Sequence, residues 1–346
     1  MKVSFIIRTY NEGAHLEEVL KRIVNLRDNF EKEIIIVDSY SLDNTPSIAH
    51  KYGAKLVMVD REGFSWGKAL NLGISASQGR YIVVLSAHCY ICSQDFLVQC
   101  EKIFSQNRSI VALYGKQNPI PYVDPFEELE LAEWYPIKEC YIMNRDNVMS
   151  GSTIGISNAC CVLKREAWEL LKYDEHVQSM EDAIWAFGII NLGAEVAYSS
   201  NISIYHSHFF NTETIYRRWF WRTFEGLNFE QTLNRKNKIR TLKRVKIAAV
   251  KHFPHVLYVR YYADLKRAKQ ILKVYPFITS EHIRIYLHLK YNAMIDAVKA
   301  HSQEGFVNIK YSTLELPPLV TKYKESMIQI ELNLTKNYHE RLPQFH

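Results

Sequence analysis

Short apolar runs and amphipathic stretches alternate along the first part of the chain. Val3-Ser4-Phe5-Ile6-Ile7, Ile34-Ile35-Ile36-Val37 and Ile82-Val83-Val84-Leu85 are too short for helix cores and rich in β-branched residues. That pattern suits strands buried on both faces of a parallel sheet. Lys55–Val59 and Ile110–Tyr114 predict two further strands. Between them lie helical patterns. Asn11-Glu12 opens a helix with Leu16, Val19, Leu20 and Ile23 on one face, and Asn44-Thr45-Pro46 starts a second with Pro in its first turn. Gly67–Ser77 predicts a third, ended by Gly79, and Ser93–Ser105 a fourth. Repeated βα units predict an α/β fold with a mainly parallel, Rossmann-like sheet, right-handed crossovers and flanking helices.

The alternation breaks between 118 and 153. Pro119, Pro121 and Pro125 precede an acidic, aromatic stretch from Glu127 to Tyr135, and Asn144–Ser152 is polar. This reads as an insertion able to form a lid or a substrate wall. Regular patterns resume with strand Ile154–Leu163, helices Arg165–Leu171 and Glu181–Leu192, and strands around Val196 and Ile204. Beyond Phe210 the pattern is helical, aromatic and basic. The expected division is a domain over 1–210 and a helical region over 211–346.

Composition sharpens this in three ways. With 346 residues, 47% of them hydrophobic, a sizeable core is expected rather than disorder. A strand pattern begins at once, and no apolar run has the length of a membrane span, so a cytoplasmic protein is expected. The net charge of +6 is uneven: twelve basic residues between Arg235 and Lys269 face only Asp264. Such a block suits phosphate, nucleic acid or an anionic membrane. The six cysteines are read as structural thiols, because Cys89 and Cys92 have no second pair at metal-binding spacing.

Polar residues gather at the strand ends: Arg8-Thr9-Tyr10-Asn11-Glu12 after the first, Asp38-Ser39-Tyr40-Ser41 after the second, Ser86-Ala87-His88 after the fourth. In a parallel sheet these ends share one edge, where ligands bind. Capping or turn formation explains each residue singly; their convergence suggests a site. No G-x-G-x-x-G or G-x-x-x-x-G-K-[ST] follows the first strand, which excludes dinucleotide-binding and P-loop readings.

These segments, together with Gly67-Lys68-Ala69-Leu70-Asn71-Leu72-Gly73 and Met180-Glu181-Asp182-Ala183-Ile184-Trp185-Ala186, make residues 1–210 resemble a family-2 glycosyltransferase of the GT-A fold. The rhamnosyltransferase-like branch that builds capsule or O-antigen is the most similar. The resemblance implies a UDP-, dTDP- or GDP-linked sugar donor and an inverting transfer to a hydroxyl of a glycan acceptor, lipid-linked in that branch. It implies donor binding by Thr9, Asn11, Glu12, Asp38, Ser41, Lys68 and Ser86, and catalysis by Asp182 as base. Glu181 and Trp185 stand beside that base as further candidates.

One motif departs from the family. Most members end the fourth strand in Asp-x-Asp, whose carboxylates hold Mg²⁺ or Mn²⁺; here it reads Ser86-Ala87-His88. Some enzymes of this fold carry a His there and another after a later strand, which implies His88 with His206, or His208, as ligands of a divalent cation. Imidazole favours Mn²⁺ over Mg²⁺. A metal-free enzyme, with Lys68, His88 and helix dipoles neutralising the leaving group, is the alternative. Other functions weighed are a non-catalytic lipid- or nucleic-acid-binding protein using the basic block, and a nucleotidyltransferase. Glu181-Asp182 speaks against the first. A missing Gly- and Arg/Lys-rich loop speaks against the second. The aromatic-cationic run Tyr216–Arg222 and the basic block predict peripheral docking on the inner face of the plasma membrane. Nucleic acid is not expected as a partner; a homo-oligomer is an open possibility.

Overall fold

The computed structural model describes residues 2–120, 124–135, 140–149, 156–208, 211–237, 264, 266, 268, 271–274, 278–304, 317–318, 320–324, 327–328, 332–333 and 336. The chain forms two compact units. One comprises Met1–Pro119 and Leu131–Ser207, the other Ile120–Glu130 and His208–His346. The first half of the insertion therefore groups with the C-terminal region rather than with the residues on either side of it.

The first unit is built on β1 (Lys2–Thr9), β2 (Glu31–Asp38), β3 (Lys55–Met58) and β4 (Tyr81–Ser86), with α1 (Gly13–Val24), α2 (Thr45–Lys51) and α3 (Trp66–Ser75) as crossovers. β3, β2, β1 and β4 run parallel in that order. Val3, Phe5, Ile6 and Ile7 of β1 are at most 1% exposed, as a central strand covered on both faces requires. Leu16, Val19, Leu20 and Ile23 are the buried face of α1.

Beyond β4 the sheet becomes mixed. The chain continues through β5 (Tyr90–Ile91), α4 (Phe96–Gln106), β6 (Ile110–Asn118), α5 (Pro125–Trp134), β7 (Cys140–Met143), α6 (Arg145–Met149), β8 (Cys160–Lys164), α7 (Arg165–Leu170), α8 (Glu181–Asn191) and β9 (Glu195–Tyr205). β8 inserts antiparallel between β4 and β6. β9 lies parallel to β6 and pairs antiparallel with β5 and β7. The α/β expectation holds, but the parallel run stops at β4. A buried apolar run looks alike in either direction, so its pattern did not reveal the reversal. The two strands expected near Val196 and Ile204 are one strand, β9, with an irregularity opposite Gly115. A Cβ on Gly115 would come within 2.2 Å of Ile202 O, so only glycine fits. β7, inside the expected lid, is woven into the sheet.

The second unit contains α9 (Thr212–Asn237), α10 (Ile271–Val274) and α11 (Ser280–Glu304). Tyr216, Trp219, Phe220, Trp221 and Phe224 pack with Ile283, Tyr286 and Leu287 in its core. The cations between these rings are engaged within the unit: Arg218 pairs with Glu127 at 3.3 Å and Arg222 with Glu130 at 3.6 Å. The reading of Tyr216–Arg222 as a bilayer surface is thereby corrected: alternating rings and cations also satisfy a helix whose apolar face is buried. Most of the basic block, with Phe253, Leu257, Tyr258, Tyr261 and Tyr262, lies outside the described residues. No helix among the described residues is long and apolar enough to cross a membrane.

Candidate active site

The C-terminal ends of β1, β2 and β4 meet as the pattern predicted, because their registers align Thr9 with Asp38 and Arg8 with Ser86. Thr9 and Asp38 are buried and bonded to each other. Thr9 Oγ1 donates to Asp38 Oδ2 at 2.7 Å, and Ser41 Oγ donates to the same oxygen at 2.6 Å. Ser41 N donates to Asp38 Oδ1 at 2.7 Å, closing the turn after β2. Asn11 N reaches Ser41 Oγ at 2.8 Å, and Asn11 Oδ1 accepts from Leu42 N at 2.8 Å. Glu12 N donates to Thr45 Oγ1 and Gly13 N to Asp43 Oδ2, both at 2.9 Å. The loops after β1 and β2 thus clamp one another. Asn11 at φ 55° and Tyr40 at φ 60° take left-handed backbone to do so, a conformation that Asn tolerates and Tyr adopts only under constraint.

Lys68 lies in the first turn of α3, where Ser65 Oγ caps its N–H at 3.1 Å. Gly67 lets that turn approach the loop before α8: a Cβ there would stand 2.1 Å from Asp174 O. The first turn therefore presents its N–H groups and the Lys68 stem together.

Ser86 ends β4 and His88 follows. His88 Nδ1 lies 3.2 Å from Glu12 Oε1, and its ring stacks on that of His206 with centroids 5.2 Å apart. His206 Nδ1 is 2.7 Å from Gln117 Oε1. A carboxylate and an amide oxygen only accept, so both rings donate from Nδ1, and in a neutral ring that places the lone pair on Nε2. This is how ligating histidines are oriented by the groups behind them. The two rings' ligand atoms lie within 4.8 Å of each other, so the pair fits a divalent cation. His208 opens the second unit, where its Nδ1 is 2.6 Å from Glu127 Oε1 and its N–H donates to Glu127 Oε2 at 2.7 Å.

Asp182 stands in the first turn of α8, half-buried, after Met180 in left-handed backbone at φ 62°. Its Oδ2 accepts from Asn158 N at 3.2 Å and its Oδ1 from Ala183 N at 2.8 Å. Burial, reinforced by the Glu181 charge beside it, pushes its carboxyl up to about 7. Glu181 is buried and accepts from Asn158 Nδ2 at 3.1 Å. Trp185 leaves the candidate set: it is 1% exposed, donates to Leu171 O at 2.6 Å and packs on Tyr173. It is core because, one turn along α8, its side chain turns inward. Asn158 and Gln117 were missed from the sequence; each is a lone amide whose role lies wholly in what folds against it.

Residues 4–171 match the model of Glycosyl transferase family 2. Over these 168 of the 346 residues the chain resembles family-2 glycosyltransferases. The chain is 24% identical over 221 residues to the O-antigen chain rhamnosyltransferase WbaN of Salmonella anatum, covering 63% of this chain and 70% of that protein. It is 26% identical over 224 residues to the O-antigen chain rhamnosyltransferase RfbN of Salmonella typhimurium, covering 64% and 71%. Among solved structures it resembles a mannosyltransferase of Pyrobaculum calidifontis, in complex with GDP-Man and Mn²⁺, with TM-score 0.53 and 18% identity over 96% of this chain and 84% of that one. It also resembles Staphylococcus aureus TarS 1-349 in complex with UDP, with TM-score 0.50 and 17% identity over 89% and 93%. Both likenesses place the glycosyltransferase fold as GT-A. Asp182 lies beyond the matched segment, so its role rests on the geometry around it.

Proposed function

We propose that the protein moves a sugar, with inversion, from a nucleoside-diphosphate donor to a hydroxyl of a lipid-linked glycan acceptor in cell-surface polysaccharide assembly. The observation that carries this reading is Asp182: a half-buried carboxylate at a helix N-terminus, with its proton affinity raised toward neutrality, in a chain whose polar strand ends meet at one sheet edge. The similarity to the two O-antigen chain rhamnosyltransferases supports the polysaccharide context.

Asp182 accepts the acceptor's hydroxyl proton as that oxygen bonds to the anomeric carbon. The bond from that carbon to the departing diphosphate breaks, and its electron pair goes to the phosphate oxygen. The N–H groups of Asn158 and Ala183 aim the base. Lys68 and the first turn of α3 receive the negative charge that builds on the diphosphate, the largest electrostatic task of the reaction. The clamped loops around Asp38 shape the nucleoside end. His88 and His206 would hold a divalent cation, which when bound neutralises diphosphate charge as a Lewis acid.

The test is a panel of UDP-, dTDP- and GDP-linked sugars, read by hydrolysis and by thermal stabilisation with and without Mn²⁺. One nucleotide class should stabilise the protein and release its sugar slowly. No response to any donor, with or without the cation, refutes the reading.

A further inference from the structure

Arg8 sits one residue from the end of β1, paired in register with Val37 and Ser86. A charge placed directly after Phe5-Ile6-Ile7 is costly unless something holds it. Its guanidinium lies over the Trp66 ring, 4.6 Å from the centroid, and Nη1 is 3.6 Å from Glu181 Oε1. Both side chains of that pair are largely removed from water, at 12% and 7% exposure. Nε is buried with no hydrogen-bond partner. The group is therefore held by a ring face and by charge, not by the fork of hydrogen bonds that a purely structural arginine makes.

What faces Asp182 is limited. Glu181 adjoins it on α8, and Arg8 approaches from β1. Tyr173, in the segment before α8, and Cys161, on β8, are the other titratable neighbours. Burial pushes both of these well above their ordinary values, so both are neutral at physiological pH. Among the described residues, the charges of Glu181 and Arg8 bear on Asp182 with opposite signs. Two adjacent carboxylates in a desolvated corner would otherwise share a proton, leaving one of them unable to act as a base.

We propose that Arg8 is a positioning residue that, clamped between Trp66 and Glu181, sets its charge against the Glu181 carboxylate so that Asp182 beside it can meet the acceptor hydroxyl as a free base. This rests on Asp182 being that base. Arg8 bears on Asp182 by its own charge and by offsetting that of Glu181, and Trp66 fixes where that charge lies.

The test needs no substrate. Protein labelled with [¹³C]aspartate is titrated by NMR, with the Asp182 carboxyl resonance assigned by its loss in Asp182→Asn. In Arg8→Gln the Asp182 midpoint should rise by about one pH unit or more, the size expected on losing an opposite charge at this range. In Glu181→Gln it should fall, and in the double variant it should return toward wild type. Arg8→Lys should keep most of the wild-type midpoint. An unmoved midpoint in a folded Arg8→Gln overturns the proposal. Should Arg8→Gln not fold, Glu181→Gln decides, and a midpoint that stays or rises overturns it. Transfer activity surviving in Asp182→Asn would instead sink the base assignment, while the titration still reports what Arg8 does to the carboxyl.

Discussion

Two corners of the same sheet edge treat their carboxylates in opposite ways. At the end of β2, Asp38 is fully buried and accepts from Thr9, from the Ser41 hydroxyl and from the Ser41 main chain, all at 2.6–2.7 Å. At the head of α8, Asp182 has two longer main-chain bonds, a like charge beside it and an arginine paired with its neighbour. The close bonds to Asp38 tie the loops after β1 and β2 together. Desolvation with sparse bonding raises proton affinity and makes a base. Residue type is the same in both corners; the donors around it decide what each does.

Removing the base should have the largest effect. Asp182→Asn is expected to lower transfer by about 10²–10⁴-fold with nucleotide affinity nearly unchanged, read by steady-state rates and calorimetry. Near wild-type turnover would erase the contrast between the corners.

Next is the cation. Chelation by EDTA should lower the rate, Mn²⁺ should restore it, and His88→Ala should abolish the response to Mn²⁺. Full activity in chelator would point to Lys68 and helix dipoles as sufficient for the leaving group.

The pH profile follows from the raised Asp182 carboxyl. The base works only when ionised, so the rate should climb as pH rises through about 7 and level off above it, losing about tenfold per unit on the acid side. A flat rate between pH 5 and 8 would show that Asp182 titrates at an ordinary value, as a well-bonded carboxylate does.

Smallest in rate, and opposite in kind, is Asp38→Ala. It strands the Thr9 and Ser41 donors, which should cost about 1–3 kcal/mol of stability and weaken nucleoside-diphosphate binding, while the pH profile keeps its shape. A variant with wild-type unfolding midpoint and wild-type calorimetric affinity would show that the clamp does no work.

Much of this was legible in the residue pattern. The parallel half of the sheet followed from β-branched runs spaced by amphipathic stretches, since period and length alone specify buried strands and crossover helices. Thr9, Asp38, Ser41 and His88 were legible as a cluster because parallel strands deliver their C-terminal ends to one edge, whereas Asp182, at the head of α8, was named from family likeness. The pairing of His88 with His206, separated by more than a hundred residues, was drawn from family likeness and then found in the stacked rings.

Other features were settled by tertiary contacts alone. The reversed direction of β8 depends on its neighbours, because a strand buried on both faces carries no sign of direction. The aromatic run from Tyr216 to Phe224 could equally have faced lipid, and only packing against Ile283 and Tyr286 makes it core. Trp185 looked like a companion of the base until its ring was placed inward on Tyr173. Asn158 and Gln117 have no local signature, and Arg8 showed only as one of the polar residues after β1: their roles consist of distances to Glu181, Asp182 and His206. Periodicity is a property of neighbours along the chain, so sequence determines elements and which ends of them meet. Proton affinity and ligand orientation depend on atoms brought together from distant positions, so only the folded structure decides which of two aspartates is bonded by close donors and which is desolvated with few of them.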